Sequence, residues 1–303
     1  MQMLLSATLK SHGRIIWAVT LDGGLFTVLV LYCGWLWLHT GAVYSVSVMF
    51  TFLGVYALVL LAVCGYSLRQ HFADFAWVRY REAVKFGIPL IISGFLIMLL
   101  AGSMRVFIEH FLGLEQVALY AFYFRLAAVV IMIHQVVNIA LFQKIYQAAP
   151  ATLDKFFALF LLFIGIISVL SCFIVPIFAT NYFRLMHESI ATHHKLYLLL
   201  SVQMVFWVSA ALNENIIYRE GLATKMNWGF GLLVPVMLGA MAGFNAMGWL
   251  NIFTITLINI VVLYLGVEVQ LYVLRTQKIY FPKVRLVNIA ALCLMFFLYF
   301  WAL

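Results

Sequence analysis

Charged side chains are scarce in this chain, at 9% of 303 residues, where soluble domains carry roughly a quarter. That scarcity excludes a soluble fold. Cysteine is limited to Cys33, Cys64, Cys172 and Cys293, all inside apolar stretches and without CxxC or Cys/His spacing. Neither a disulfide framework nor a zinc site is therefore expected. The sequence has no glycine-rich phosphate loop, no HExxH, no GxSxG and no acidic loop cluster, which argues against an enzyme. Its longest outer loop, residues 180–194, is too short to hold a second substrate at the membrane surface. No cofactor is expected.

What the chain has instead is apolar length. Hydrophobic residues make up 66% of it and its mean hydropathy is +1.09. A spanning helix needs about 20 apolar residues to cross about 30 Å of hydrocarbon, and unpaired backbone polar groups are intolerable in lipid. The expected fold is therefore all-α, a polytopic transmembrane helical bundle with about nine spans. They run approximately over Ile15–Leu38, Val43–Tyr66, Val84–Met104, Glu115–Tyr146, Phe156–Ala179, Lys195–Tyr218, Met226–Asn245, Trp249–Leu274 and Arg285–Leu303. The first fourteen residues lack a signal-peptide pattern, so the first segment is expected to remain in the mature protein.

A net charge of +8 would raise the question of nucleic acid in a soluble protein, but here it is read through topology. With the amino terminus in the cytoplasm, fourteen of eighteen basic residues fall on inner loops, at Lys10, Arg14, Arg69, Arg79, Arg81, Lys85, Lys144, Lys155, Arg219, Lys225, Arg275, Lys278, Lys283 and Arg285. The amino terminus is therefore expected inside and the carboxyl terminus outside, with no nucleic-acid partner. Residues 69–83 mix charges with Phe72, Phe75, Trp77 and Tyr80, the pattern of an amphipathic interfacial linker. A run–turn–run pattern from Arg14 to Arg69 parallels one from Lys225 to Arg275. It reads either as an internal repeat of the transporter kind or as two similar short-looped hairpins.

Ionisable groups within spans cost a few kcal/mol on insertion scales and usually face a bundle interior or a water-filled cavity. Asp22, followed by Gly23-Gly24, reads either as a proton or cation coupling site or as a packing hydrogen bond. Arg125, about three turns into the fourth span, is too deep to snorkel comfortably and should line a polar cavity. Its fork of donors suits phosphate oxygens; the alternative is an ion pair with a carboxylate such as Asp22. Arg105 and Glu109 are spaced for an i, i+4 surface pair near the outer end of the third span. His134 and Asn138 share a face roughly opposite Arg125, a pattern for an interhelical hydrogen bond more than a proton relay. Glu214 and Glu268 lie towards cytoplasmic ends, where solvation suffices. His187, Glu188, His193 and His194 fall in an outer loop without a scaffold, so no metal is expected.

Between Phe86 and Pro150 four segments follow one another: Phe86-Gly87-Ile88-Pro89-Leu90-Ile91-Ile92-Ser93, Gly102-Ser103-Met104-Arg105, Phe111-Leu112-Gly113-Leu114-Glu115-Gln116-Val117-Ala118-Leu119-Tyr120, and Tyr123-Phe124-Arg125-Leu126-Ala127. This region resembles the polysaccharide biosynthesis transporters, the O-antigen and lipid-linked oligosaccharide flippases of the multidrug/oligosaccharidyl-lipid/polysaccharide exporter superfamily. The resemblance implies a MATE-like fold of two six-helix bundles around an alternately opening cleft in a bacterial inner membrane. Its implied substrate is an undecaprenyl-pyrophosphate-linked oligosaccharide, a lipid-linked anionic glycan, with possible H⁺ or Na⁺ coupling. Arg105 and Arg125 occupy positions where such proteins tend to carry basic residues.

The chain departs from the family in two ways. Position 104 is Met where the family commonly has Asp. The chain also resembles the family only from its fifth helix onward, which implies a truncated frame, a degenerate paralogue, or a second subunit completing the missing bundle. The implied organisation is 1–68, the last two helices of an amino-terminal bundle; 69–83, the linker; 84–275, the six-helix carboxyl-terminal bundle; and 276–303, an extra transmembrane helix. A drug/cation antiporter of the same fold is the second expectation. A membrane-embedded glycan enzyme or non-transporting assembly subunit is the third.

Overall fold

A computed structural model of the chain describes residues 24, 28, 31–32, 34–35, 46–69, 77–182 and 187–301. The described residues are helical with short connecting turns and contain no strand. The helices are α1 (Val46–Arg69), α2 (Trp77–Ile97), α3 (Met104–Leu112), α4 (Leu114–Ala127), α5 (Val129–Gln147), α6 (Pro150–Tyr182), α7 (His187–Arg219), α8 (Ala223–Ala246), α9 (Ile252–Arg275) and α10 (Pro282–Trp301). Among the described residues, five helical stretches are long and apolar enough to cross a membrane, Tyr80–Leu112, Pro150–Val175, His193–Arg219, Ala223–Ala246 and Ile252–Arg275. The bent pair Leu114–Ala127 and Val129–Leu141 makes a sixth if it is one span. This is consistent with a membrane protein.

The chain divides into two compact units, residues 1–83 with 139–143, and residues 84–138 with 144–303. In the first unit α1 carries Phe52, whose ring meets the buried Tyr32 edge-on at 5.8 Å and Trp35 at 6.5 Å. The segment expected as an interfacial linker is described only from Trp77, where α2 opens with Trp77 and Tyr80 exposed and stacked at 5.3 Å.

The second unit is built around α7, which packs against α6, α9, α4, α10 and α8. Leu199, Val202 and Phe206 of α7 meet Ile260 and Leu263 of α9 and Met295 of α10 in one buried cluster. In lipid such association rests on close packing and interhelical hydrogen bonds, since apolar burial alone gains little there. Both contributions are present. Gly229 of α8 sits so near Val269 of α9 that any Cβ would run into that side chain. Gln203 Nε2 donates to Asn259 Oδ1 at 2.8 Å, and Asn259 Nδ2 donates to the Leu100 carbonyl at 2.6 Å.

That carbonyl belongs to a π-helical segment, Met98–Gly102, which joins α2 to α3. The sequence expectation ends the third span at Met104. The backbone instead stays helical through the π turn to Leu112 and reverses at Gly113, whose φ of 89° is easily adopted only by glycine. Asp154 is buried; its Oδ1 accepts from the Lys283 N–H at 3.0 Å and the Val284 N–H at 3.1 Å. It thereby caps α10, satisfying two N–H groups that the first helical turn leaves without partners.

Candidate functional site

The helical hairpin α3–α4 brings together two of the residues singled out above. Arg105 is eight residues before Gly113 and Arg125 twelve after it. At 1.5 Å per residue these lie about 12 Å and about 18 Å from the reversal. Arg105 thus lies two turns inside its helix, deeper than the outer end at which the sequence expectation put it, because α3 continues to Leu112.

Both arginines are exposed, and neither pairs with an acid among the described residues. Arg105 leans instead over the ring of Phe124, its Cζ 5.8 Å from the ring centre, which sets it against the last turn of α4 beside Arg125. Glu109 is exposed one turn beyond Arg105, and the i, i+4 ion pair expected between them does not form. Asp22 lies outside the described residues. Met104 is buried, so the position that carries Asp in the resembled family serves apolar packing here.

Arg125 also stands at a break. The fourth expected span, Glu115–Tyr146, is two helices bent by 43° at Ala128, with Arg125 in the last turn of the first. No proline or glycine occurs there; Ala128 takes φ −69° and ψ −7°, and Ile131 N–H reaches back only three residues to its carbonyl. On the opposite face Tyr123 is buried against Tyr197, with ring centres 6.1 Å apart. His134 is buried with its ring 6.4 Å from Phe160 and 6.3 Å from Trp207. Asn138 accepts from Asn215 Nδ2 at 2.9 Å, the interhelical bond expected of that face, whereas His134 makes no hydrogen bond among the described residues.

A second polar group lies on α7. Glu214 is half-buried and accepts from the Tyr218 hydroxyl, with no cation paired to it among the described residues. It is not the solvated end residue expected from its position. Near that end of the unit Asn227 Nδ2 donates to the Pro89 carbonyl at 2.8 Å, and the Ser93 hydroxyl donates to Asn227 Oδ1 at 2.6 Å. Arg219, one turn beyond Glu214, is turned away towards Glu220 at 2.8 Å and the carbonyls of Ile145, Tyr146 and Ala148. Glu268 is likewise engaged, by Arg285 at 3.0 Å.

His194 Nε2 lies 2.9 Å from the Cys172 carbonyl, and no group of three potential metal ligands occurs among the described residues. The residues that sequence reasoning missed, Asp154, Gln203 and Asn259, are buried polar groups that hold helices together. Compared with protein-family models, curated proteins and solved structures, the chain matches none.

Proposed function

We propose that this chain is a membrane transporter of an anionic lipid-linked glycan, a flippase of polyprenyl-pyrophosphate-linked oligosaccharide or a part of one. One observation carries the reading: Arg105 and Arg125 lie on the two arms of one helical hairpin, Arg105 over the ring of Arg125's neighbour Phe124, both exposed and without an acidic partner among the described residues. A permanent cation within a membrane-spanning bundle is costly unless it meets water or an anion. Two planar donor forks on one hairpin fit the several oxygens of a pyrophosphate. A broken helix, as at Ala128, is also a recurrent element of transporter binding sites. In this reading the nine expected spans belong to a MATE-like bundle and part of another in a bacterial inner membrane, with the amino terminus cytoplasmic and the carboxyl terminus outside. The cleft is completed by a second subunit that supplies the missing bundle.

Glu214 favours an ion-coupled form of the same reading, since a carboxylate without a cation inside a span can take up H⁺ or Na⁺. A drug/cation antiporter would use the same acid but has no need for the two arginines. A glycan enzyme or a non-transporting subunit would leave the lipid in its leaflet.

The test is full-length protein in vesicles containing a fluorescent lipid-pyrophosphate oligosaccharide. Leaflet transfer of the unchanged lipid is expected, falling at least about tenfold in Arg125→Ala, the loss of one charge-assisted contact. An altered product points to an enzyme, and transfer untouched by Arg125→Ala removes the anion-binding role.

A further inference from the structure

The turn between α9 and α10 holds a second basic site, well apart in sequence from the arginines of the hairpin. α9 ends at Arg275 and α10 begins at Pro282, and between them lies a 220 Å³ cleft lined by Glu268, Leu271, Tyr272, Arg275, Tyr280 and Arg285 among others. The turn is held firmly. The N–H groups of Gln277 and Ile279 both donate to the Leu274 carbonyl, at 3.0 and 3.2 Å, and Lys278 takes a φ of 60° to allow it. Ile279 and Phe281 are buried, and Phe281 meets the Phe157 ring edge-on at 5.9 Å. Asp154 fixes the first turn of α10.

The charge of the cleft is one-sided. Arg285 is already engaged by Glu268, whereas Arg275 rests against the face of Tyr280, 5.9 Å from its centre, and has no acidic partner among the described residues. The cleft lining thus holds two arginines against the one carboxylate of Glu268. Lys278 on the turn and Lys283 in the first turn of α10 are exposed outside the lining, and the buried Asp154 is engaged by the Lys283 and Val284 N–H groups. Tyr272 and Tyr280 are exposed beside it, as aromatic residues are at membrane interfaces, while Leu271 and Phe281 give it an apolar floor.

We infer that this cleft binds an anionic phospholipid of the surrounding bilayer. The phosphodiester meets Arg275, with Lys278 and Lys283 deepening the positive potential, and the glycerol and upper acyl carbons lie on Leu271 and Phe281. The cleft sits at the end of Ile252–Arg275, a helix long enough to span, and the end of a spanning helix meets the head-group region. A free phosphate has no use for the apolar floor, and a zwitterionic head group brings a cation of its own against the lysines. Basic pockets between spanning helices are known to favour anionic head groups. The inference is independent of what the protein carries.

Purified full-length protein in detergent is titrated with phosphatidylglycerol and phosphatidylcholine, bound lipid being counted by native mass spectrometry, and with inorganic phosphate as competitor. Phosphatidylglycerol is expected to bind preferentially. Arg275→Gln and Lys278→Gln should each weaken it about fivefold, the worth of one basic residue at such a surface, without changing phosphatidylcholine binding. Tyr280→Leu, which keeps the charge but removes the ring that orients Arg275, should weaken it less. Lys225→Gln, in the first turn of α8, should leave it unchanged. Equal binding of the two lipids, or displacement of phosphatidylglycerol by an equal concentration of phosphate, overturns the inference. So does a Lys225→Gln loss as large as that of Arg275→Gln, which would mean attraction by net charge alone. If Arg275→Gln does not fold, Lys278→Gln and Tyr280→Leu decide the question in its place: full phosphatidylglycerol binding by both overturns the inference.

Discussion

The guanidinium carbon of Arg105 stands 5.8 Å from the centre of the Phe124 ring, so the residue preceding Arg125 seats the second cation of the hairpin. The reversal at Gly113 brings the two arginines, twenty positions apart, onto one hairpin.

If the two arginines address a single anionic group, removing either should spoil the same interaction. In a double-mutant cycle on the initial rate of glycan-lipid transfer, Arg105→Ala and Arg125→Ala are each expected to lower the rate about tenfold or more. The double variant should fall well short of the product of the two losses. Strictly multiplicative losses would mean two separate tasks.

Glu214 lacks a cationic partner among the described residues, so in the proposed transporter its charge is open to neutralisation by H⁺ or Na⁺. Glu214→Gln, which keeps the shape and the acceptor for Tyr218, should make transfer indifferent to an imposed proton or sodium gradient while substrate binding persists. Undiminished gradient dependence in this variant would assign coupling elsewhere.

Asp154 concerns stability alone. Asp154→Ala removes the acceptor from two backbone N–H groups, at Lys283 and Val284, in a buried setting. A loss of about 1–3 kcal/mol is expected on unfolding in mixed detergent, with Asp154→Asn losing less because an amide oxygen remains. Unfolding of Asp154→Ala at the wild-type midpoint would show the cap to be dispensable.

The α8–α9 contact is tested by size. Gly229→Ala drives a methyl into Val269 and is expected to cost about 1–3 kcal/mol, restored in large part by adding Val269→Ala. Gly231→Ala meets open space and should be close to neutral on the same unfolding measurement.

Much of the helical layout is legible because apolar runs ended by charge or glycine have little choice in lipid. The expected Met226–Asn245 span appears as Ala223–Ala246, and Trp249–Leu274 as Ile252–Arg275. What hydropathy hides is how a run is subdivided. Glu115–Tyr146 contains neither proline nor glycine, so nothing in its pattern announces the bend at Ala128. The charge of Arg105 reads as the end of a span, but backbone hydrogen bonding is indifferent to one exposed side chain and the helix runs on to Leu112. Asp154 beside Lys155 looks like solvated loop charge, and only the return of the chain 129 residues later gives the carboxylate its task. Of the site residues, Arg125 and Arg105 are visible as lone charges in apolar surroundings, whereas the contact of Arg105 with Phe124 depends on a turn of tertiary structure.

The absence of a counter-ion for Arg125 among the described residues bears on the speed of any carrier built on it. An incoming anion need not evict a resident carboxylate, and a departing one need not wait for such a group to swing back. Loading and unloading at this hairpin would then proceed without an internal exchange of partners, leaving the movement of the helices themselves as the slow event.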